Sequence, residues 1–177
     1  NKTILIVGFG RIGKKLIKKC LGFDLKVIVY DPYVGEDTIS SLGGKKILNL
    51  EDGLKEADIL SLSLPLNSKT RNFISLKEMK MMKSSSIIIN ISRGGLINEE
   101  DLNVALNDKI ISFAGIDVFE KEPPESNNPL LTNKRVLLSP HAATFTKECL
   151  ENMSIETVQN IINFFENKID VTKIVKL

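Results

Sequence analysis

The chain has 177 residues, enough for one domain with a substantial core. Its 24 basic and 22 acidic side chains leave a net charge of +2, with no concentrated basic run, which argues against a nucleic-acid partner. Hydrophobic residues make up 42%, yet no apolar stretch approaches the ~20 residues of a membrane span, so a globular protein without a membrane partner is expected.

The first apolar run is TILIVG at 3–8, followed by KVIVYD (26–31), ADILSLSLP (57–65), SSIIINIS (85–92), SFAGIDVF (112–119) and RVLLSP (135–140). Most lack polar alternation, as strands buried on both faces do. Helical patterns lie between and after them. Residues 11–22 set Ile12, Leu16, Ile17 and Cys20 along one stripe, with Lys14, Lys15, Lys18 and Lys19 on the wet side. Residues 98–107 open on Asn98 with Asp101 three positions on, close to a capping arrangement. Residues 145–167 place Leu150, Met153, Val158, Ile161, Ile162 and Phe165 at helical spacing. This order predicts an α/β fold: a doubly wound, Rossmann-type parallel sheet with helices on both faces and right-handed crossovers. One domain over 1–177 is expected, with no repeat or internal boundary. Pro123, Pro124 and Pro129, with Ser126, Asn127 and Asn128, mark a long surface loop. Cys20 and Cys149 are far apart, and there is no signal-peptide pattern, so a reducing, cytoplasmic setting is expected. Position 1 is Asn rather than Met, as in a trimmed or partial chain.

Gly8-Phe9-Gly10-Arg11-Ile12-Gly13 is a G-x-G-x-x-G between a buried strand and an amphipathic helix. Gly8 permits a tight turn, Gly10 lets a pyrophosphate approach the backbone, and Gly13 lets the helix pack close. The helix N-terminus offers free N–H groups to the phosphates. Asp31 ends the second run and can accept from a ribose 2′-OH, which favours NAD over NADP; the plainer alternative is a turn former before Pro32.

Three later motifs fall at strand ends, where open α/β sheets bind ligands. Arg93, in Ile89-Asn90-Ile91-Ser92-Arg93-Gly94-Gly95, suits two-point contact with a carboxylate, or is simply an exposed surface arginine. Asp117 sits in an apolar stretch, where a bare carboxylate is costly unless paired, and Glu122 opens the proline-rich loop. His141 is the only histidine; a lone histidine is often a packed structural residue, but this one lies on the ligand edge, where a neighbouring carboxylate would hold it protonated. An arginine, a glutamate and a histidine on one edge suit reduction of a 2-keto acid. No metal-ligand cluster is visible, and no metal is expected.

Together, VGFGRIG, YDPYV, LSLPLNSKTRNFIS, INISRGGLINEEDLNVAL, GIDVFEKEPP with NPLL, and LLSPHAATFT resemble the D-isomer-specific 2-hydroxyacid dehydrogenases, which include phosphoglycerate, glycerate and D-lactate dehydrogenases. The resemblance covers almost the whole chain. It implies NAD as cofactor and hydride transfer between a small D-2-hydroxy acid and its 2-keto acid. It implies that Arg93 binds the substrate carboxylate, that His141 moves the proton, and that Glu122 raises the histidine's pKa and fixes its tautomer, with Glu120 a nearby competitor. It places Gly8, Gly10, Arg11, Ile12, Gly13, Asp31, Pro32, Leu64, Pro65, Thr70, Ile91, Ser92, Arg93, Asp117, His141 and Ala143 along the cofactor, with Asp117 on the nicotinamide carboxamide. It further implies a homodimer.

Two features depart from the family pattern. Some members carry a histidine just before the proline of the 63–65 stretch, where Ser63 and Leu64 stand here. Members also usually run past 300 residues, with a substrate domain built mainly from the N-terminal part. Nothing lies upstream of the first strand here, so 1–177 reads as the cofactor domain alone, poorly active by itself. The rival reading is a non-catalytic NAD-sensing or scaffold protein on the same fold. Glu122 argues against formate dehydrogenases, which typically carry glutamine there.

Overall fold

A computed structural model describes residues 2–171 and 174. It divides into two compact units, Asn1–His141 and Ala142–Leu177.

The first unit holds β1 (Thr3–Val7), α1 (Arg11–Gly22), β2 (Lys26–Tyr30), α2 (Glu36–Ser40), β3 (Lys45–Lys46), α3 (Leu50–Glu56), β4 (Ile59–Leu62), α4 (Leu76–Met79), β5 (Ile87–Asn90), α5 (Glu99–Asn107), β6 (Phe113–Ile116) and β7 (Val136–Leu138). The strands form one sheet in the order β3-β2-β1-β4-β5-β6-β7, and every pairing is parallel. This is the doubly wound sheet expected from the alternating runs. All five residues of β1 are buried, because β1 lies inside the sheet with packing on both faces. Successive side chains point to opposite faces. Ile4 and Ile6 join Phe9, Ile17, Val27, Val29 and Ile39 in one apolar cluster. Leu5 and Val7 join Ile28, Leu54, Leu60, Leu62, Ile88, Leu102 and Leu106 in the other.

The register aligns the carboxyl ends of the strands. Val7 pairs with Tyr30 and with Leu62, Leu62 with Asn90, Asn90 with Ile116, and Ile116 with Leu138. The loops that follow leave from one edge, and strand order reverses between β1 and β4, where such sheets open a crevice.

The apolar stripe expected on α1 needs one correction. Gly13, Ile17 and Cys20 are buried, but Ile12 is 60% exposed. In the first turn the buried direction is taken by Gly13, which leaves Ile12 facing outward.

In the second unit, α6 (Lys147–Phe165) is capped by Thr146, whose hydroxyl accepts from the Cys149 N–H at 3.1 Å. Leu150, Met153, Val158, Ile161, Ile162 and Phe165 are all exposed. No helix among the described residues is long and apolar enough to cross a membrane.

Candidate cofactor and active site

The turn after β1 is built by close backbone approach. Gly8 has φ +91°, and a Cβ there would overlap the carbonyl of Ser63 at the end of β4. A Cβ on Gly13 would stand 2.5 Å from the Gly8 oxygen, so α1 can sit on the loop only without one. Gly10 faces open space. No side chain caps α1 and no acidic residue lies in its first turn, so its N-terminal dipole is free for an anion. Asp31 ties the turn together: Oδ2 accepts from the Phe9 N–H at 2.7 Å, and Oδ1 accepts from the N–H groups of Tyr33 (2.8 Å) and Val34 (3.2 Å).

Gly8, Gly10, Asp31, Pro32, Leu64, Pro65 and Thr70 line one hollow of about 340 Å³. Tyr33, Asn67, Lys69 and Phe73, which the sequence reading assigned no role, line it too. Tyr33 had a usable signal in standing directly after Pro32. The Thr70 hydroxyl donates to the Pro65 carbonyl at 2.7 Å and accepts from the Asn67 N–H at 2.8 Å, so it shapes the wall of the hollow. Arg11 and Ile12 lie outside the lining, exposed on the first turn of α1. Among the described residues, one buried side-chain oxygen lacks a hydrogen bond, Ser63 Oγ, in this wall. An open cradle at Gly10, an uncapped helix end and an orphaned hydroxyl fit a dinucleotide.

The strands β5, β6 and β7 deliver the other half. Asn90 is 2% exposed and shapes the loop beyond it: its Nδ2 donates to the Arg93 carbonyl (2.9 Å) and its Oδ1 accepts from the Ser92 N–H (3.1 Å). Ser92 Oγ donates to the Leu64 carbonyl at 3.3 Å, joining the two halves. Ile91 and Arg93 are exposed, and the guanidinium donates to the Ser92 carbonyl at 2.6 Å. A Cβ on Gly94 would overlap the carbonyl of Phe119, so the arginine loop and the segment after β6 are in backbone contact.

Asp117 is 2% exposed and its carboxylate accepts from Ser139 Oγ at 2.5 Å, the partner its apolar surroundings require. Its carbonyl accepts from the His141 N–H at 2.8 Å. That bond helps hold His141 at φ +52°, a conformation non-glycine residues rarely adopt and one that gathers at functional sites. The ring Nδ1 of His141 lies 2.8 Å from Glu122 Oε2, while Glu122 Oε1 accepts from the Phe119 N–H at 3.0 Å. The His141 ring and then the Phe119 N–H hold the Glu122 carboxyl below the usual carboxylate range. An ionised carboxylate only accepts, which assigns the proton of a neutral imidazole to Nδ1 and leaves Nε2 as the free ring nitrogen. Asp117, Glu122 and His141 line a hollow of about 460 Å³ with Phe119, Leu131 and Leu138. Glu120 turns away to an ion pair with Arg71, so the pairing with His141 falls to Glu122.

Residues 1–143 match the NAD binding domain of the D-isomer specific 2-hydroxyacid dehydrogenases. The chain belongs to this family. Among its relatives, D-3-phosphoglycerate dehydrogenase of Methanocaldococcus jannaschii is 40% identical over 148 residues, covering 84% of this chain and 28% of the relative. Glyoxylate reductase of Thermococcus litoralis is 40% identical over 169 residues, covering 96% and 50%. The crystal structure of D-lactate dehydrogenase with NAD+ from Lactobacillus jensenii superposes with a TM-score of 0.88 at 30% identity, covering 100% of this chain and 56% of that one. The chain thus spans about half the length, or less, of the relatives it matches. In this NAD-binding domain Gly8 and Gly10 of the glycine turn, with Asp31, Pro32, Leu64, Pro65 and Thr70, gather around one hollow, and Asp117, Glu122 and His141 around the other, whereas Arg11, Ile12, Gly13, Ile91, Ser92 and Arg93 line neither. Ala143 belongs to the second unit. Asn90, Gly94 and Arg71 carried no role in the sequence reading, because what they do depends on partners far along the chain.

Proposed function

We propose that this chain is the cofactor-binding part of an NAD-dependent oxidoreductase that interconverts a D-2-hydroxy acid and its 2-keto acid. The observation that carries the reading is the contact of His141 Nδ1 with Glu122 Oε2 at 2.8 Å, on the sheet edge that also holds the glycine turn. Gly8, Gly10 and Gly13 with the first turn of α1 would hold the pyrophosphate, Asp31 the adenosine ribose, and Asp117 the carboxamide. When bound, the nicotinamide supplies or takes the hydride.

The chain's own residues do the rest. Arg93 binds the substrate carboxylate and steadies the oxygen that gains charge; among the described residues its guanidinium leans on a neighbouring carbonyl alone, which a carboxylate can displace. His141 gives its Nε2 proton to that oxygen in reduction and takes it back in oxidation. Glu122, ionised from below the ordinary carboxylate range, favours the imidazolium and fixes the ring's orientation. The free cysteines Cys20 and Cys149 support a cytoplasmic setting, and the exposed apolar residues of α6 support a homodimer.

The test is NADH oxidation by the full gene product against 3-phosphohydroxypyruvate, hydroxypyruvate, glyoxylate and pyruvate. Turnover of at least one acid is expected, and His141→Asn should lower it by about 10²- to 10⁴-fold while NADH binding persists. NADH binding without turnover of any acid would favour a sensor or scaffold instead.

A further inference from the structure

Glu122 is half-exposed and rides on the loop between Phe119 and Asn128, yet it must meet the His141 ring at hydrogen-bond distance. Its one bond to the backbone, from the Phe119 N–H, lies within the same loop and cannot place the loop in space. A carboxylate outside the loop does. Glu99, the first residue of α5, accepts from the Glu120 N–H through Oε1 at 2.6 Å and from Asn128 Nδ2 through Oε2 at 2.6 Å. One side chain therefore closes the two ends of the segment that carries Glu122. Charge-assisted bonds of this kind are about twice as strong as neutral ones, and pinning both ends removes much of the loop's freedom.

Glu99 is itself fixed. Asn98 caps α5 by accepting from the Asp101 N–H at 3.0 Å, and the Gly94–Phe119 contact sits just before that helix. Arg71 holds the Glu120 side chain from the other side, so Glu120 is held through both its side chain and its N–H. We propose that Glu99 is a positioning residue for the Glu122–His141 pair: it clamps the 120–128 loop so that the Glu122 carboxylate faces Nδ1. This rests on the proposed role of that pair, and its test reads the ring rather than turnover.

His141 is the chain's only histidine, so its ring nitrogens can be followed by ¹⁵N spectroscopy without overlap. In the neutral ring, read on the alkaline limb of a pH titration, the tautomer reports the Glu122 contact. The Nδ1–H form should dominate in the native chain. Glu99→Gln leaves one acceptor for two donors, and the Nε2–H to Nδ1–H ratio should rise about threefold or more. Asn128→Asp keeps the oxygen that accepts from the Leu130 N–H but sets a carboxylate against Glu99, and it should act in the same direction. Glu100→Gln, which removes an equal charge from the neighbouring exposed position, should leave the ratio unchanged. An unchanged ratio in a folded Glu99→Gln or Asn128→Asp chain overturns the proposal, as does an equal rise with Glu100→Gln. If Glu99→Gln fails to fold, Asn128→Asp decides. A native chain already dominated by Nε2–H would instead overturn the reading of the Glu122–His141 pair itself.

Discussion

The two edges of the sheet each carry an aspartate that gathers several donors, and they use it in opposite ways. Asp58, just ahead of β4 on the amino edge, accepts from the Thr3 N–H at 2.9 Å and takes Lys2 and Lys83 at 3.3 and 3.2 Å. The Thr3 N–H first, and then the two lysines, draw its carboxyl down to about 2. Its charge is consumed in stapling the starts of β1, β4 and β5 together. Asp31, on the carboxyl edge, is bound among the described residues by backbone N–H groups alone and opens onto the hollow beside the glycine turn. Where counter-charges close on a carboxylate, it serves the fold; where peptide dipoles hold it, its charge remains available to a ligand.

Three substitutions sharpen that contrast. Gly94→Ala should have the largest effect on stability, about 3 kcal/mol in denaturant unfolding, because a Cβ there meets backbone rather than a side chain that can move. Its cost shows that the carboxyl edge is held by close packing of loops. Asp58→Asn should cost about 1–2 kcal/mol at pH 7 while leaving NADH affinity unchanged. Because its folded pKa lies below the ordinary value of 3.8, that stabilisation is complete above about pH 4 and fades as pH falls towards 2, so native and variant unfolding curves should converge on acidification. Asp31→Asn should do the reverse, weakening NADH about tenfold by calorimetry, near 1.4 kcal/mol, and narrowing the preference over NADPH. A loss of NADH affinity in Asp58→Asn, or none in Asp31→Asn, would dissolve the contrast.

The long elements and the carboxyl-edge residues could be read from the chain, because buried parallel strands leave unbroken Ile, Val and Leu runs and the glycine spacing has a single steric meaning. The short elements could not. Helices α2, α3 and α4 and strand β3 are too brief for a periodic pattern. Only local caps betray two of them: Asn49, accepting from the Glu51 N–H, and the Ser75–Glu78 capping box. Ile12 was misread because the 3.6-residue repeat marks a stripe but not which flank of it is covered in the first turn. In sequence only the following proline separates Glu122 from Glu120; in space the ion pair to Arg71 and the contact with His141 separate them, and both partners lie far along the chain. The bridging role of Glu99 was hidden for the same reason, since it depends on two loops meeting in space.

The overlap that forbids a side chain at Gly94 also ties together the descent of two segments. A larger residue there is admissible only if the backbone at Phe119 and Glu120 retreats, and that retreat would carry Glu122 away from His141. Substitution should be freer at exposed positions away from that junction, such as 125–127. A single missing Cβ thus sets which parts of the loop can diversify and which must change in step.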